Sequence, residues 1–401
     1  MHGQQAHAHH YVPQWYQKRF LKTGKTKYLY LDLHPEKVVG NGFKYERRSL
    51  FQRGPKMCFC EHDLYTLKFD NLTTDEIEKN FFGDIDSLGR NAVALFSDYH
   101  TFKGVHPDQF RFLTGYMGAQ RFRTPKGLDY LKEQTQLPDK NAVLALMQNI
   151  FEAHVTMWTE GVWEIVRARK SATKFIVSDN PVTFYNRAIF PHFHEYPDDV
   201  GLHEVGTRTL FPLGSDSCLI ITHVELTRNP RTNPSRPRTN ARNFGRTMKY
   251  ILETQFGREL EEDEVLRINF ILKKRAARYI AAAQEEWLFP ERNVSTRKWT
   301  ELDDDWFLLP NMYKVPFGGG ILAGSRGGPT FTMDEYGRNP SHPGYKDKSQ
   351  HEKEWITFNQ AKKEWAKKRR GRSLAQVETG SGKLDDFSDR VMFEDLQKLK
   401  E

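Results

Sequence analysis

The chain has 401 residues, of which 38% are hydrophobic and 28% charged, and its formal net charge is +8. Its 28 Phe, 16 Tyr and 8 Trp supply enough apolar area to form a core, which excludes a disordered chain. No window approaches the roughly 18 consecutive apolar residues that a membrane span needs, and the N-terminus has no apolar signal stretch. We therefore expect an intracellular protein without a membrane partner, cytoplasmic or, in a eukaryotic host, nuclear.

The positive charge is concentrated in two segments. Residues Arg228–Arg246 contain six Arg and no acidic residue, and residues His351–Arg372 contain eight Lys or Arg against three Glu. Together these segments carry more positive charge than the whole chain, so the remainder is slightly acidic. The basicity therefore belongs to two local segments and not to the core.

The N-terminal half predicts one strand followed by helices. The apolar and aromatic run Tyr28–Leu33 predicts a strand. Thr73–Glu76 fits a capping box, and apolar residues then recur at three and four positions, which predicts a helix to about Phe96. A second helix is predicted over Pro107–Arg123. The longest begins after Pro138, with an apolar stripe that continues to Ile165.

The following part of the chain mixes strands and helices. Short apolar runs predict strands at 174–178, 207–212 and 217–222. Further helices are predicted at 240–256 and 262–286, and a basic helix at 352–370. The fold class is therefore expected to be α+β, a mainly helical core with a small, mostly antiparallel sheet. We expect a flexible tail at 1–8, a core domain at 9–290, an extension with a Gly-rich loop at 291–345 and a basic helical appendage at 346–401.

Several motifs occur together in a recognisable order. They are His10-Tyr11-Val12-Pro13-Gln14 with Phe20, Asp63-Leu64-Tyr65, Glu78 in a long helix, Gln120 to Pro125, and Ser178-Asp179-Asn180-Pro181. This ordered set resembles the family of domain of unknown function 4238, over roughly residues 8 to 290. Where the family pattern has a second Glu in the long helix, this chain has Asp86 or a nearby residue. The resemblance implies a domain boundary and no mechanism.

The N-terminal motif contains two candidate catalytic residues. His10 lies beside aromatic residues, and a neutral imidazole can bind a metal or act as a base near neutral pH. The alternative is a histidine that is hydrogen-bonded to backbone. Gln14 can orient a water or a base, or it can link a loop to a helix.

Carboxylates supply the second group of candidates. Glu78 and Asp86 fall on one face of the predicted helix, where paired carboxylates could hold Mg²⁺. Alternatively, Asp86 forms an ordinary ion pair with Arg90. Asp179 follows a strand, where catalytic carboxylates are often displayed, although Asp-Asn-Pro is also a turn signal in which the side chain bonds the backbone.

Basic residues are candidates for phosphate contact. Arg121 and Arg123 end a helix, where they could clamp a phosphate or simply complement the helix dipole. The two basic segments could contact nucleic acid, with Trp355 and Trp365 stacking on bases, or could be solvated charge runs. The candidate contacts are Arg236, Arg238, Arg242, Lys367, Lys368, Arg369 and Arg370.

Two interpretations of function remain open. In the first, His10, Gln14, Glu78 and Asp179 form the catalytic site of a metal-dependent hydrolase, a nuclease-like phosphodiesterase with a divalent metal cofactor. In the second, the same polar residues are structural, and the chain is a non-catalytic protein that binds nucleic acid or another protein. The metal and the substrate are not determined by the sequence.

Overall fold

Four consecutive helices separate an N-terminal group of strands from a central part in which strands predominate. The computed structural model describes residues 8–40, 43–62, 83–100, 105–135, 140–193, 196–238, 254–304, 307–315, 320–324, 328, 330–334, 336 and 338–369. Its helices are α1 (Gln14–Gln17), α2 (Gly83–Ser97), α3 (Asp108–Phe122), α4 (Pro125–Thr135), α5 (Lys140–Glu160), α6 (Val224–Arg228), α7 (Glu262–Arg275) and α8 (Lys348–Arg369).

The strands form two larger sheets and three two-stranded ones among the described residues. Their bounds are β1 (Ala8–His10), β2 (Tyr28–Asp32), β3 (Lys37–Gly40), β4 (Phe43–Glu46), β5 (Leu50–Arg53), β6 (Cys60–His62), β7 (Val162–Arg167), β8 (Val177–Ser178), β9 (Thr183–Tyr185), β10 (Arg208–Gly214), β11 (Ser217–Thr222), β12 (Gln255–Glu259), β13 (Tyr279–Ala282), β14 (Gly320–Gly324) and β15 (Thr330–Asp334).

A five-stranded sheet in the order β12-β7-β11-β10-β9 is buried on both faces. Side chains of β11 alternate between two hydrophobic clusters: Leu219 and Ile221 pack in the first, and Cys218 and Ile220 in the second. The first cluster also contains side chains of α2, α3 and α5, and the second contains those of α7. A strand covered on both sides is apolar at consecutive positions, which is why Ser217–Thr222 reads as a continuous apolar run.

Strand β7 begins where the sequence predicted a continuing helix. The apolar stripe of α5 was expected to reach Ile165, but α5 ends at Glu160. Gly161 separates the two elements, and a Cβ at that position would lie 2.5 Å from Ile221 Cγ2. The prediction was wrong here because a central strand buried on both faces has the same apolar content as a buried helix.

The second of the larger sheets has four strands in the order β5-β2-β13-β8. Strand β13 pairs antiparallel with both β2 and β8. The sequence predicted a helix over 262–286, whereas α7 stops at Arg275 and Ala276 is extended. Helix α7 begins with a reciprocal capping box between Glu261 and Glu264, so its start was predictable and its end was not.

Helices α3 and α4 meet at Thr124, immediately before Pro125. The Thr124 hydroxyl accepts a hydrogen bond from the N–H of Gly127 at 3.1 Å, and Pro125 occupies the first position of α4, where its missing N–H has no cost. The predicted end of α3 near Pro125 is confirmed. The start of a new helix at the same proline was not predicted from the sequence.

The basic helix α8 packs against the core. Its side chains Phe358, Ala361 and Trp365 form a cluster with Val224 and Met312, among others. Trp365 is only 2% exposed, so the expectation that it stacks on bases is wrong, whereas Trp355 is 45% exposed. Trp299 and Phe307, which lie between β13 and α8 in sequence, are buried in the second hydrophobic cluster.

The α+β class is confirmed. The expected mainly helical core with a small sheet is not, because the five- and four-stranded sheets form a large part of the core. The described strand pairs are antiparallel except β12 with β7, as expected for a mostly antiparallel arrangement. Within the described part of the chain, no helix is both long and apolar enough to cross a membrane. The predicted capping box at 73–76 and the residues 239–253 lie outside the described residues.

The N-terminal segment is held to the core by the side chain of Gln17. Its amide donates hydrogen bonds to the carbonyls of Val12, at 2.7 Å, and Cys58, at 3.1 Å, and its carbonyl accepts one from the Tyr28 hydroxyl. Gln17 is fully buried. One side chain therefore joins the first motif to β2 and to the segment before β6.

Replacing Gln17 tests this connection. Gln17→Met keeps the volume but leaves two carbonyls and a hydroxyl buried without partners, so we expect unfolding to become easier by about 2–4 kcal/mol in urea denaturation. The matched control is Gln14→Met, one turn earlier in α1, where the side chain is partly exposed and makes no hydrogen bond to the described residues. Equal losses in both variants would contradict the assignment.

Candidate functional site: a buried junction of charged side chains

Asp179 is the centre of a hydrogen-bonded turn. Its carboxylate accepts hydrogen bonds from three successive backbone N–H groups, those of Ala277 (2.8 Å), Arg278 (2.6 Å) and Tyr279 (2.7 Å). The N–H of Asp179 donates to the carbonyl of Tyr279 at 3.0 Å. These N–H groups follow the end of α7, so the carboxylate binds donors that a longer helix would have used internally. This explains why α7 stops short of the predicted boundary.

The environment of Asp179 favours a structural role. The side chain is buried, and this burial raises its pKa, while the three backbone N–H groups act in the opposite direction. A carboxylate that already accepts three backbone hydrogen bonds has little capacity left for a metal ion. The Asp-Asn-Pro motif was interpreted either as a displayed catalytic carboxylate or as a turn in which the side chain bonds the backbone. The geometry supports backbone bonding, but the N–H groups belong to a distant segment and not to the turn itself.

His10 also bonds to the backbone. Its Nε2 lies 3.1 Å from the carbonyl oxygen of Lys56, which can only accept, so Nε2 carries the proton. The same residue ends β1, which pairs with β6. No hydrogen bond or ion pair joins His10 to Asp179. Gln14 starts α1 without a side-chain hydrogen bond to the described residues.

The carboxylates expected on the long helix are only partly described. Glu78 lies outside the described residues. Asp86 was considered as a partner of Arg90 but instead receives two hydrogen bonds from Arg123, the residue that follows α3, one of 2.9 Å. Arg90 lies over the ring of Trp15. Among the residues with described positions, no group of three or more His, Cys, Asp or Glu side chains is arranged to hold a metal ion.

Arg121 takes part in a different arrangement, which we call the charged junction. It consists of Arg121 at the end of α3, Lys126 in α4, Arg275 at the end of α7, and Asp199. The three cations lie 3.1, 3.2 and 3.3 Å from the Asp199 carboxylate. All four side chains are at most 10% exposed.

The charged junction changes the titration of its members. Burial alone would raise the pKa of Asp199, but Lys126, Arg121 and Arg275 outweigh it and hold that pKa well below its usual range. Burial lowers the pKa of Lys126, and Asp199 acts against this effect. Asp199 is therefore ionised near neutral pH, where it faces three cations in the junction.

The residues of three motifs converge at the charged junction. Gln120 donates to the carbonyl of Tyr11 at 2.7 Å, which connects the motif at 120–125 to the motif at 10–14. Arg121 donates to Asn180 Oδ1 at 2.9 Å, and Asn180 donates to the carbonyl of Arg275 at 3.1 Å. The motifs at 10–14, 120–125 and 178–181 are thus neighbours in the fold although more than one hundred residues separate some of them.

Four residues of these networks were not selected from the sequence: Gln17, Lys126, Asp199 and Arg275. Lys126 directly follows the Gln120–Pro125 motif, so its position was an available signal. Asp199 lies in a loop with no periodic pattern, and Arg275 was one of several basic residues at a helix end. Only the folded chain shows that they meet.

Three described arginines of the first basic segment, which we call the arginine segment (residues 228–246), are paired within the chain. Arg231 bonds Glu364 of α8, Arg236 bonds Glu225 at 2.7 Å, and Arg238 bonds Glu160. The Arg238 side chain is only 13% exposed, whereas that of Arg231 is 68% exposed. Arg242 and Arg370 are outside the described residues, and although Lys367, Lys368 and Arg369 belong to α8, the structure does not describe their side chains.

A cavity of about 260 Å³ separates this segment from α8. Its walls include Arg228, Arg236 and Arg238 from the arginine segment, and Lys353 and Glu354 from α8. A smaller cavity of about 210 Å³ is lined by residues of the same segment and by Arg208 and Asp303. The arginine segment is thus folded against α8 and is not an isolated loop.

Substituting Asp179 tests its structural role. In Asp179→Asn, one acceptor oxygen becomes an N–H₂ group that faces backbone donors, so we expect a loss of about 2–4 kcal/mol in the free energy of unfolding. Asp216→Asn, at an exposed carboxylate, is the control and should change stability by less than about 0.5 kcal/mol. An Asp179→Asn protein as stable as the wild type would argue against the structural assignment.

Comparison with known proteins gives one result. The family described as protein of unknown function (DUF4238) matches residues 8–126 and 118–286. No curated protein and no solved structure matches the chain. The family match spans more than half of the chain and includes the three motifs that meet at the charged junction. The chain therefore belongs to the DUF4238 family of proteins of unknown function.

Proposed function

We propose that this chain binds single-stranded nucleic acid without sequence preference, through a basic surface formed jointly by the arginine segment and α8. The observation that carries the proposal is that two basic segments, more than one hundred residues apart in sequence, are in contact in the fold. Arg231 bonds Glu364 of α8, and Arg236 and Lys353 line the same cavity. The two basic segments are separate in the sequence, and in the fold they form one larger basic surface.

The exposed members of this surface suit phosphate contact. The Arg231–Glu364 pair is exposed, and such pairs contribute only about 0–1 kcal/mol, so a phosphate can compete with Glu364 for the guanidinium. Lys353 and Lys363 are exposed on α8. The proposal retains Arg236 and the cluster Lys367–Arg370 as predicted contacts. It does not include Arg238, whose buried guanidinium is bonded to Glu160.

Trp355 supplies an aromatic face on the same helix. It is 45% exposed, and its neighbour on α8, Ile356, is 51% exposed. Base stacking on such a side chain contributes about 1–3 kcal/mol per base and tolerates any base. An exposed tryptophan beside lysines and arginines therefore favours unpaired nucleic acid over a duplex, whose bases are already stacked.

The salt dependence of binding tests the basic surface. We expect the affinity for a labelled single-stranded oligonucleotide, measured by fluorescence anisotropy, to fall linearly with salt on a logarithmic scale. A triple variant, Arg231→Ala, Lys353→Ala and Lys363→Ala, should reduce the slope by about 2, since each lost phosphate contact removes roughly 0.7. The matched control removes three exposed lysines elsewhere, with Lys22→Ala, Lys25→Ala and Lys27→Ala. Identical slopes for both triples, or no binding by the wild type, would refute the proposal.

The role of Trp355 is tested separately. Trp355→Ala should weaken binding by about 1–3 kcal/mol and leave the salt slope unchanged, because stacking involves no counterion release. Tyr45→Ala, at an aromatic side chain of β4 that is 54% exposed, is the control and should have no effect on affinity. A changed slope in Trp355→Ala would show that the substitution disturbs the charges instead.

The metal-dependent hydrolase remains a second, less supported proposal. It requires His10, Gln14, Glu78 and Asp179 to meet, and the Asp179 carboxylate is already bonded to three backbone N–H groups. In isothermal titration with Mn²⁺ and Mg²⁺ we expect no saturable binding that depends on His10. Saturable binding that is lost in both His10→Ala and Glu78→Ala would reverse the order of the two proposals and justify a nuclease assay.

A further inference from the structure

We propose that Arg121, Lys126 and Arg275 form a binding site for a tetrahedral oxyanion such as phosphate, and that the carboxylate of Asp199 competes with this anion from within the chain. The three cations come from the end of α3, the start of α4 and the end of α7. They converge on one point, at 3.1, 3.2 and 3.3 Å from Asp199 oxygens. Two guanidinium groups and an ammonium group around an oxyanion are a common arrangement for phosphate recognition.

The charge of the junction is not balanced. Three buried cations surround one carboxylate, and the exposures of Arg121, Lys126 and Arg275 are 8%, 10% and 3%. Asp179 also acts on Lys126 electrostatically, but its oxygens are bonded to backbone N–H groups. Even with both carboxylates counted, positive charge is in excess. An unmatched buried charge is costly, so a further anion at this position would stabilise the fold.

The hydrogen-bonding capacity of the junction is also incompletely used. Two of the cations, Arg121 and Lys126, lie near a single oxygen, Asp199 Oδ2, and that oxygen accepts no hydrogen bond of suitable geometry from the described residues. The Nε of Arg275 is buried and has no hydrogen-bond partner among the described residues. A planar carboxylate has two oxygens in one plane, whereas a tetrahedral oxyanion offers four oxygens in different directions. The latter can serve donors that approach from three separate elements.

The site is independent of the basic surface proposed above. The charged junction shares no residue with Arg231, Arg236, Lys353 or Trp355. Experiments can therefore refute nucleic-acid binding and confirm the oxyanion site, or confirm nucleic-acid binding and refute the oxyanion site. Three salts distinguish the ligand chemistry: phosphate and sulfate are tetrahedral, whereas acetate is planar and carries one charge.

Thermal unfolding of the full chain is the direct test. We expect phosphate and sulfate, compared with chloride at the same ionic strength, to raise the Tm of the wild type, and acetate to have no effect. In Asp199→Asn the internal competitor is removed, so the phosphate concentration at half-maximal stabilisation should fall by at least about ten-fold. The control is Asp303→Asn, at an equally buried carboxylate that pairs with Arg208 at 2.8 Å; its phosphate response should equal that of the wild type.

A second variant covers the case in which Asp199→Asn does not fold. Lys126→Met removes one of the excess positive charges. We expect it to lose less stability in chloride than in phosphate, so that the difference in Tm between the two salts becomes smaller than in the wild type. Equal losses in both salts would identify Lys126 as a purely structural partner of Asp199. That result, or a wild-type Tm that phosphate does not change, would overturn the proposal.

Discussion

The hydrogen bonds between the Asp179 carboxylate and the N–H groups of residues 277–279 join two segments of the fold that are about one hundred residues apart in sequence. They end α7 and direct the chain into β13, which then pairs with β2 and β8. Strand β2 belongs to the N-terminal part and β8 to the central part, so these three bonds connect segments that are far apart in sequence. Without them, the local preference of residues 276–286 for helix would compete with the sheet.

The same turn places charged side chains in the interior, where the loss of hydration makes a charge unfavourable. Arg275, the last residue of α7, reaches Asp199, and Asn180, next to Asp179, bonds both Arg121 and the Arg275 carbonyl. A buried cluster of this kind is weak evidence for stability, because desolvation of each ion opposes the attraction between them. Its excess of cations is easier to understand if the junction is built to receive an anion than if it serves the fold alone.

Folding neutralises part of the positive charge of the arginine segment. Arg231 bonds Glu364 and Arg238 bonds Glu160, and both of these glutamates are distant in sequence, whereas Arg236 bonds Glu225, which lies three residues before the segment. Its inner charges are therefore neutralised, and only the outer ones, with those of α8, can meet a partner. The packing of Trp365 against Val224 and Met312 holds the two segments side by side.

The sequence by itself determined the α+β class, the family, the start of α7, the end of α3 near Pro125 and the position of the two basic segments. These features depend on local signals such as the capping box of α7 and the turn at Pro125. Only the tertiary structure decided that Val162–Arg167 and Tyr279–Ala282 are strands, because apolar composition does not distinguish a buried strand from a buried helix. It also decided the partners of Asp179, Gln17 and Asp199, because hydrogen bonds and ion pairs between distant segments leave no periodic pattern in the sequence.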